Sequence, residues 1–428
     1  MIDINLIRNN PKDIQKAAKN KNIDINVDHI LGIDKKYKEL SLVVQKLREE
    51  RNVLTDSMKG EPSKEQIEKG KILKEKLEKE DHALKAVWEE LKEKLYQIPN
   101  LPLKTVPIGD SSKFKIIKKV GMPKKFSFIP KDHLEIGEGL DIIDVKRGAK
   151  VSGTRFAYLK NEGALLELAL IQFAMDRLIK EGFSPIFPPM LIRHEITEEL
   201  GYWNAENSNN YYSVNNYEEP PFYLIGTAEH AIVPMHKDEI FEEKDLPKRY
   251  VGFSSAFRRE AGTYGKDTRG ILRVHQFDKV EMVSFVKPQN EEKERKKILF
   301  VAESFMQDLG LPYQITQLAS GDLAFPSAET IDIETWMPSQ NKYRETHSIS
   351  TTTDFQSRRL NIKYNVNGEK KFVHILNGTA FAIGRTIISI LENYQKSDGS
   401  VLIPKILQKY LPAGKAGLHF EKISPKKV

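Results

Sequence analysis

Between residues 30 and 98 the apolar side chains recur at alternating intervals of three and four. Ile30, Ile33, Tyr37, Leu40, Val44 and Leu47 make one stripe, which Arg51 interrupts and Leu54 resumes; Leu84, Trp88, Leu91, Leu95 and Ile98 make a second. This spacing predicts two amphipathic helices with heptad-like seams. Gly60 and Pro62 break the pattern between them. Ser63, followed three residues later by Gln66, offers the second helix a capping box. Helices joined by so short a connection fold back antiparallel. At about 1.5 Å per residue they give an arm of about 45–50 Å. Pro99, Pro102, Pro107 and Gly109 then stop the helical pattern.

From about residue 132 the pattern changes. Residues 163–181 read as an amphipathic helix through Leu166, Leu170, Phe173 and Leu178, and residues 182–189 as an extended segment broken by prolines. Strand-like runs at 250–253, 274–286, 330–336 and 371–375 alternate with helical stretches at 291–309 and 382–394. The expected fold class is α+β: an N-terminal antiparallel coiled-coil arm, residues 1–110, and a second domain, residues 111–428, built on an antiparallel sheet flanked by helices. No GxxxxGK[ST] run and no strand–GxGxxG–helix unit occurs, which argues against P-loop and Rossmann nucleotide sites.

Composition alters this picture in three places. The chain has 428 residues and carries 67 Lys+Arg against 60 Asp+Glu, a net charge of +7 that permits a polyanionic partner. Residues 34–97 hold 16 basic and 15 acidic residues, the balance of a solvated coiled-coil face. Any partner of the arm is therefore read in part by shape. Residues 111–125, with six lysines and no acid, form a linker or an entry strand that either steers a polyanion or is a plain surface cluster. The absence of cysteine excludes disulfides, thiolate metal sites and a cysteine nucleophile. No apolar run approaches the roughly 20 residues of a membrane span, and the N-terminus lacks a signal-peptide pattern, so the expectation is a cytoplasmic protein without a membrane partner.

Four clusters in the second domain carry chemistry. The first is Thr227, Ala228, Glu229 and His230. The second runs from Phe257, Arg258, Arg259 and Glu260 through a glycine-rich loop at 261–270 to Arg273, His275, Phe277 and Glu281. The third is Glu345, Thr346, His347 and Ser348. The fourth is Asn377, Gly378 and Thr379 with Gly384 and Arg385. Arginines on both sides of a glycine-rich loop suit phosphate, because the guanidinium fork matches its oxygens and glycine lets backbone approach. Phe277 offers a stacking face, and Glu260 and Glu281 offer acceptors for amino groups. Arg385 opens a helix, whose N-terminal end favours anions. Each cluster has a plainer reading as an ion-pair ladder, a core aromatic or an isolated histidine. The residues alone leave open a phosphate-binding enzyme and a non-catalytic binding protein.

Taken together, residues 257–281 and 377–385 resemble the second and third signatures of class II aminoacyl-tRNA synthetases, and Pro185 to Pro189 resemble the first. With Thr227, Ala228 and Glu229, the run from Arg273 to Glu281, and the arm closed by residues 98–102, the combination resembles the seryl-tRNA synthetase family over residues 1–411. The resemblance implies a homodimeric enzyme with a six- to seven-stranded antiparallel sheet, which joins L-serine to tRNA(Ser), and by extension tRNA(Sec), using ATP and Mg²⁺. In that reading Arg258, Glu345 and Arg385 serve catalysis. Arg258, Arg259, Glu260, Phe277, Glu345, Thr346, His347, Ser348 and Arg385 bind ATP, with Glu345 reaching the metal through it. Thr227, Ala228, Glu229, Arg258, Glu281 and Thr379 bind serine, and Lys46, Arg48 and Arg51 contact tRNA. Thr379 stands where many bacterial members have serine. The family's zinc-dependent form needs a cysteine ligand, so the expectation is no zinc. Two alternatives remain in view: a synthetase-like protein that loads a carrier protein or regulates, and an RNA-binding scaffold without catalysis.

Overall fold

The computed structural model describes residues 1–58, 60, 62–202, 210–216, 219–261, 269–412 and 421–425. Most of the glycine-rich loop at 261–270 and of the lysine-bearing tail after Pro412 lies outside the described residues. The chain divides into two compact units, Met1–Leu101 and Pro102–Val428.

In the first unit two short helices, α1 (Ile4–Asn9) and α2 (Pro11–Asn20), precede the long helices α3 (Val27–Ser57) and α4 (Lys64–Tyr96). The capping box forms as the sequence predicts: Ser63 Oγ accepts from Gln66 N at 3.2 Å, and Gln66 Oε1 accepts from Ser63 N at 2.9 Å. Val27, Ile30, Ile33 and Val44 of α3 and Leu73, Leu77, Val87, Leu91 and Leu95 of α4 are buried in the seam. Trp88 is the exception to the predicted stripe. It is 38% exposed, its seam place is taken by Val87, and its ring lies beside Tyr37 at 5.3 Å. Arg8 closes the base of the unit through a two-pronged pair with buried Asp34 at 2.8 and 2.7 Å.

The second unit is organised by an eight-stranded sheet. Its strands are β1 (Lys115–Val120), β2 (Ser184–Ile186), β3 (Lys248–Phe257), β4 (Gln276–Val286), β5 (Tyr313–Gln317), β6 (Glu329–Met337), β7 (Lys342–Thr353) and β8 (His374–Ala382), in the order β1-β5-β6-β7-β8-β4-β3-β2. The pairs are antiparallel except β2 with β3. The sheet thus exceeds the six to seven strands the resemblance implies, because 115–120 adds an edge strand and 184–186 pairs parallel at the other edge. Residues 371–375 do not form one strand: Val373 separates Glu369–Phe372 from β8.

Three helices supply the apolar face: α5 (Glu162–Lys180), α6 (Glu291–Asp308) and α7 (Ile383–Tyr394). Their Leu170, Phe173, Phe305 and Ile387 join Val280, Met282, Ile349 and Phe381 of the sheet in one core. Phe173 meets Phe305 edge-on at 5.3 Å, and Phe305 lies 4.8 Å from Phe381. Since strand side chains alternate between faces, the opposite face carries a different set, part of it packed in a second apolar cluster with Val283 and Phe285 and part of it polar. Among the described residues no helix is long and apolar enough to cross a membrane.

Candidate active site

A cleft of about 630 Å³ lies on the opposite face of the sheet, beside a second buried cluster that includes Val283 and Phe285. Strand β4 lines it with Phe277, Lys279 and Glu281, while the intervening Val280 joins the core. The neighbouring strands do not follow simple alternation. Between β4 and β8, Val280 pairs with Phe381 but Glu281 pairs with Thr379, so Ala380 is a bulge. The extra residue lets Thr379 enter the cleft while Phe381, two positions on, stays in the core. A second bulge, at Thr346 where β7 pairs with β6, brings both Glu345 and Thr346 into the lining with Ser348 and Ser350.

The cleft has two ends. At the first, Glu229 is buried and held from two sides: Tyr202 OH donates to its carboxylate at 3.0 and 3.2 Å, and Gln356 Nε2 donates at 3.0 Å. Burial pushes the Glu229 carboxyl up to about 7, against the opposing pull of the Gln356 hydrogen bond. Glu281 is also raised by burial, with Lys279 and Arg258 opposing. Lys279 Nζ lies 2.6 Å from Glu281 Oε2 and 3.4 Å from Thr227 Oγ1, and Thr379 Oγ1 donates to Glu281 at 3.4 Å. His230 Nδ1 accepts from Gly226 N at 3.2 Å and so shapes the turn that carries Thr227. Burial, aided by Arg258 and Lys279, holds this imidazole neutral, far below its ordinary value.

The second end is richer in charge. Arg258 leaves β3, donates from Nε to Gly226 O at 3.1 Å and lies 5.4 Å over the Phe277 ring. Glu260, at φ 48°, pairs with Arg273 at 3.2 Å. Arg385 at the start of α7 reaches the Glu345 carboxylate at 3.2 Å and its carbonyl at 3.1 Å. Partial desolvation in the cleft would raise the Glu345 carboxyl, but Arg385, Arg258 and Lys279 outweigh it and hold the group below its usual value. Asp332 on β6 shows the reverse: burial and nearby Glu345 push it well above the carboxylate range, and its Oδ1 is buried without a hydrogen-bond partner.

The structure therefore brings Thr227, Glu229, Arg258, Glu260, Phe277, Glu281, Glu345, Thr346, Ser348, Thr379 and Arg385 to one cleft. It does not bring Ala228, Arg259 or His347 to the lining. Ala228 is fully buried against Gly252, where an added Cβ would lie 3.1 Å from it. Arg259 contributes its backbone N–H to Asn210 O at 2.8 Å. His347 points to the helix side, 5.8 Å from the Phe381 ring, because it lies between the cleft-facing Thr346 and Ser348. On the arm, Lys46 and Arg51 are exposed, and Arg48 pairs with Asp81 of the facing helix at 3.0 Å. Lys279, Tyr202 and Asp332 are lining residues that sequence reasoning did not select. Lys279 was signalled by its place two residues from both Phe277 and Glu281 on a strand. Tyr202 and Asp332 come from other segments and had no such signal.

Residues 1–102 match the family model described as the seryl-tRNA synthetase N-terminal domain, and residues 212–394 match the class II core domain shared by the G, H, P, S and T synthetases. A serine–tRNA ligase of Dictyoglomus thermophilum is 43% identical over 419 residues, covering 96% of this chain and 98% of the relative. The chain belongs to the seryl-tRNA synthetase family. A serine–tRNA ligase of Carboxydothermus hydrogenoformans is 40% identical over 422 residues, covering 96% of this chain and 98% of its own length. The fold matches the crystal structure of seryl-tRNA synthetase from Pyrococcus horikoshii complexed with ATP, with a TM-score of 0.89, 37% identity and 100% of both chains covered. It also matches the cytoplasmic serine–tRNA ligase of Naegleria fowleri in complex with AMP, with a TM-score of 0.87, 30% identity, and 100% of this chain and 99% of that one covered.

Proposed function

We propose that this chain activates L-serine with ATP and transfers the seryl group to tRNA(Ser), and to tRNA(Sec), as a cytoplasmic homodimer. Residues 1–110 serve tRNA binding and residues 111–428 catalysis. The observation that carries the reading is the pairing of a buried, hydroxyl-facing carboxylate, Glu281, with the Arg258, Phe277 and Arg385 constellation in one cleft. A carrier-loading or regulatory relative needs no long arm, and a scaffold needs no such cleft.

Glu229 and Thr227 hold the serine ammonium, while Glu281 and Thr379 receive the side-chain hydroxyl. Alanine would leave those buried polar groups unpaired, which is how a site built for a hydroxyl rejects its absence. Phe277 stacks on adenine and Glu260 accepts from its amino group. Arg258 neutralises the α-phosphate and serine carboxylate as they approach, and Arg385 holds the far phosphates. The serine carboxylate oxygen attacks the α-phosphorus in line and pyrophosphate leaves, so the protein's part is positioning and charge neutralisation, with no protein nucleophile. The 3′-terminal hydroxyl of tRNA then attacks the adenylate carbonyl and AMP departs.

Mg²⁺ suits this end of the cleft. Glu345, Ser348 and the orphaned Asp332 Oδ1 are hard oxygen donors, and Mg²⁺ takes one or two carboxylates together with phosphate oxygens and water. When bound, it supplies charge neutralisation at the phosphates.

The decisive experiment is serine- and ATP-dependent pyrophosphate exchange together with charging of total tRNA. Activity in both supports the reading; exchange without charging points to a carrier-loading relative, and neither to a scaffold. The Glu229 titration adds a pH signature. In the free site this carboxyl is pushed up to about 7, and only its ionised form binds an ammonium. On the acid side, kcat/KM for serine should therefore rise through about pH 7. kcat should show no such limb, because the bound ammonium draws the group back down. Glu229→Gln should abolish the limb, and an unchanged profile in that variant would refute the role. A chain shortened to begin at Ser111 should keep exchange but lose tRNA charging by about two orders of magnitude, the scale set by a handful of lost phosphate contacts. Equal charging would exclude the arm.

A further inference from the structure

Outside the cleft lining, three segments distant in sequence converge on His133. This residue begins the helix His133–Gly139 and is buried. Its Nε2 accepts the Ile271 backbone N–H at 3.2 Å, which leaves Nδ1 as the ring nitrogen that carries a proton. Nδ1 faces Glu392 Oε1 at 3.6 Å, an electrostatic contact too long for a hydrogen bond. Glu392 is fully buried on α7, where it accepts from His133 N at 3.3 Å and from Ser339 N at 3.0 Å. Gly270, at φ +74°, adjoins the same imidazole, and a Cβ there would run into Nε2.

The two ends of this chain of contacts matter. α7 carries Arg385 at its N-terminus. Ile271 itself lines the cleft and lies two residues before Arg273, the partner of Glu260. Residues 269–275 belong to no strand, so their placement rests on bonds such as this one rather than on a sheet ladder. A backbone N–H buried here without His133 would lose its acceptor, and the segment would have to shift to find another.

We propose that His133 is a positioning residue for the nucleotide end of the cleft. The Glu392–His133–Ile271 relay fixes the segment that returns Arg273, the partner of Glu260, to the cleft against the helix that carries Arg385. The relay rests on the nucleotide reading given above. It makes no contact with the serine end, where Thr227, Glu229 and Glu281 are held by Lys279, Tyr202, Gln356 and Thr379. A merely structural buried histidine would disturb both substrates alike when replaced; a relay confined to the nucleotide end would not.

The test measures KM for ATP and KM for serine separately by pyrophosphate exchange in the parent chain, His133→Leu and His133→Gln. In His133→Leu the KM for ATP should rise about five- to tenfold, the effect of one lost buried hydrogen bond, while the serine KM stays unchanged. In His133→Gln the side-chain oxygen can stand where Nε2 stood and should restore most of the ATP affinity. Parallel rises for both substrates, or a glutamine variant no better than leucine, overturn the proposal. If thermal unfolding shows that His133→Leu does not fold, Glu392→Gln decides the matter. It keeps an acceptor for only one of the two amides and removes the charge facing Nδ1, so a raised KM for ATP alone is expected and an unchanged one overturns the relay. Absence of exchange in the parent chain would instead count against the serine-activation reading. Direct ATP titration of the parent and His133→Leu then decides the relay, with weaker binding by the leucine variant supporting it and equal binding overturning it.

Discussion

Arg258→Ala should leave the chain folded and reduce serine-dependent pyrophosphate exchange by about a hundred- to a thousandfold, the usual cost of removing a group aimed at developing charge. Arg258 is placed for this by two contacts that use little of its donor capacity. Nε is spent on Gly226 O, and the guanidinium plane lies over Phe277, which leaves the terminal nitrogens for anions entering the cleft. Its charge also opposes the burial-driven rise of Glu281 and helps hold Glu345 ionised, so alanine disturbs both ends of the site. Arg258→Lys should recover little, since a point charge cannot both stack on Phe277 and present a fork. The measurement is kcat of exchange at saturating ATP and serine, with thermal unfolding as the check on folding. Exchange near the parent rate in a folded Arg258→Ala chain would remove this residue from the mechanism.

The second large effect is confined to one substrate. Glu281→Ala should lower kcat/KM for serine by about a hundredfold or more while leaving the KM for ATP close to the parent value. The carboxylate is buried between Lys279 at 2.6 Å and Thr379 at 3.4 Å. Its loss removes the acceptor for the substrate hydroxyl and strands a buried ammonium, a change that costs about 3–5 kcal/mol in comparable buried pairs. Glu281→Gln should fall between the two, because an amide oxygen still accepts but carries no charge for Lys279. Steady-state exchange with ATP and serine varied independently distinguishes the cases. Serine use at near-parent efficiency, or equal losses for both substrates, would contradict the assignment.

Much of this site is legible in sequence because its ingredients are local. Arg258 and Glu260 lie two residues apart just past the end of β3, and Phe277 and Glu281 share a face through the two-residue period of β4. Lys279 follows from the same period. The arm is legible for the same kind of reason: a stripe repeating every three or four residues needs only a partner with the same stripe. Trp88 shows the limit of that reading. Its spacing suits the seam, yet the smaller Val87 fills the interior, and the indole lies half outside against Tyr37.

What the sequence by itself determined is the α+β class, the two-helix arm with its capping box, the family resemblance and most of the polar residues of the cleft. These depend on local periodicity, on turn chemistry and on the order of short motifs. The tertiary structure alone decided which neighbours in a motif face the substrate. One bulge sends Thr379 to the cleft and Phe381 to the core; another admits both Glu345 and Thr346, and His347 next to them points away. A bulge is a mismatch between two strands, so it is written in neither strand alone. The same holds for Tyr202 and Gln356 on Glu229, and for the meeting of His133, Ile271 and Glu392. Each joins segments separated by dozens to hundreds of residues, and only the tertiary packing on the two faces of the sheet brings them within hydrogen-bonding range.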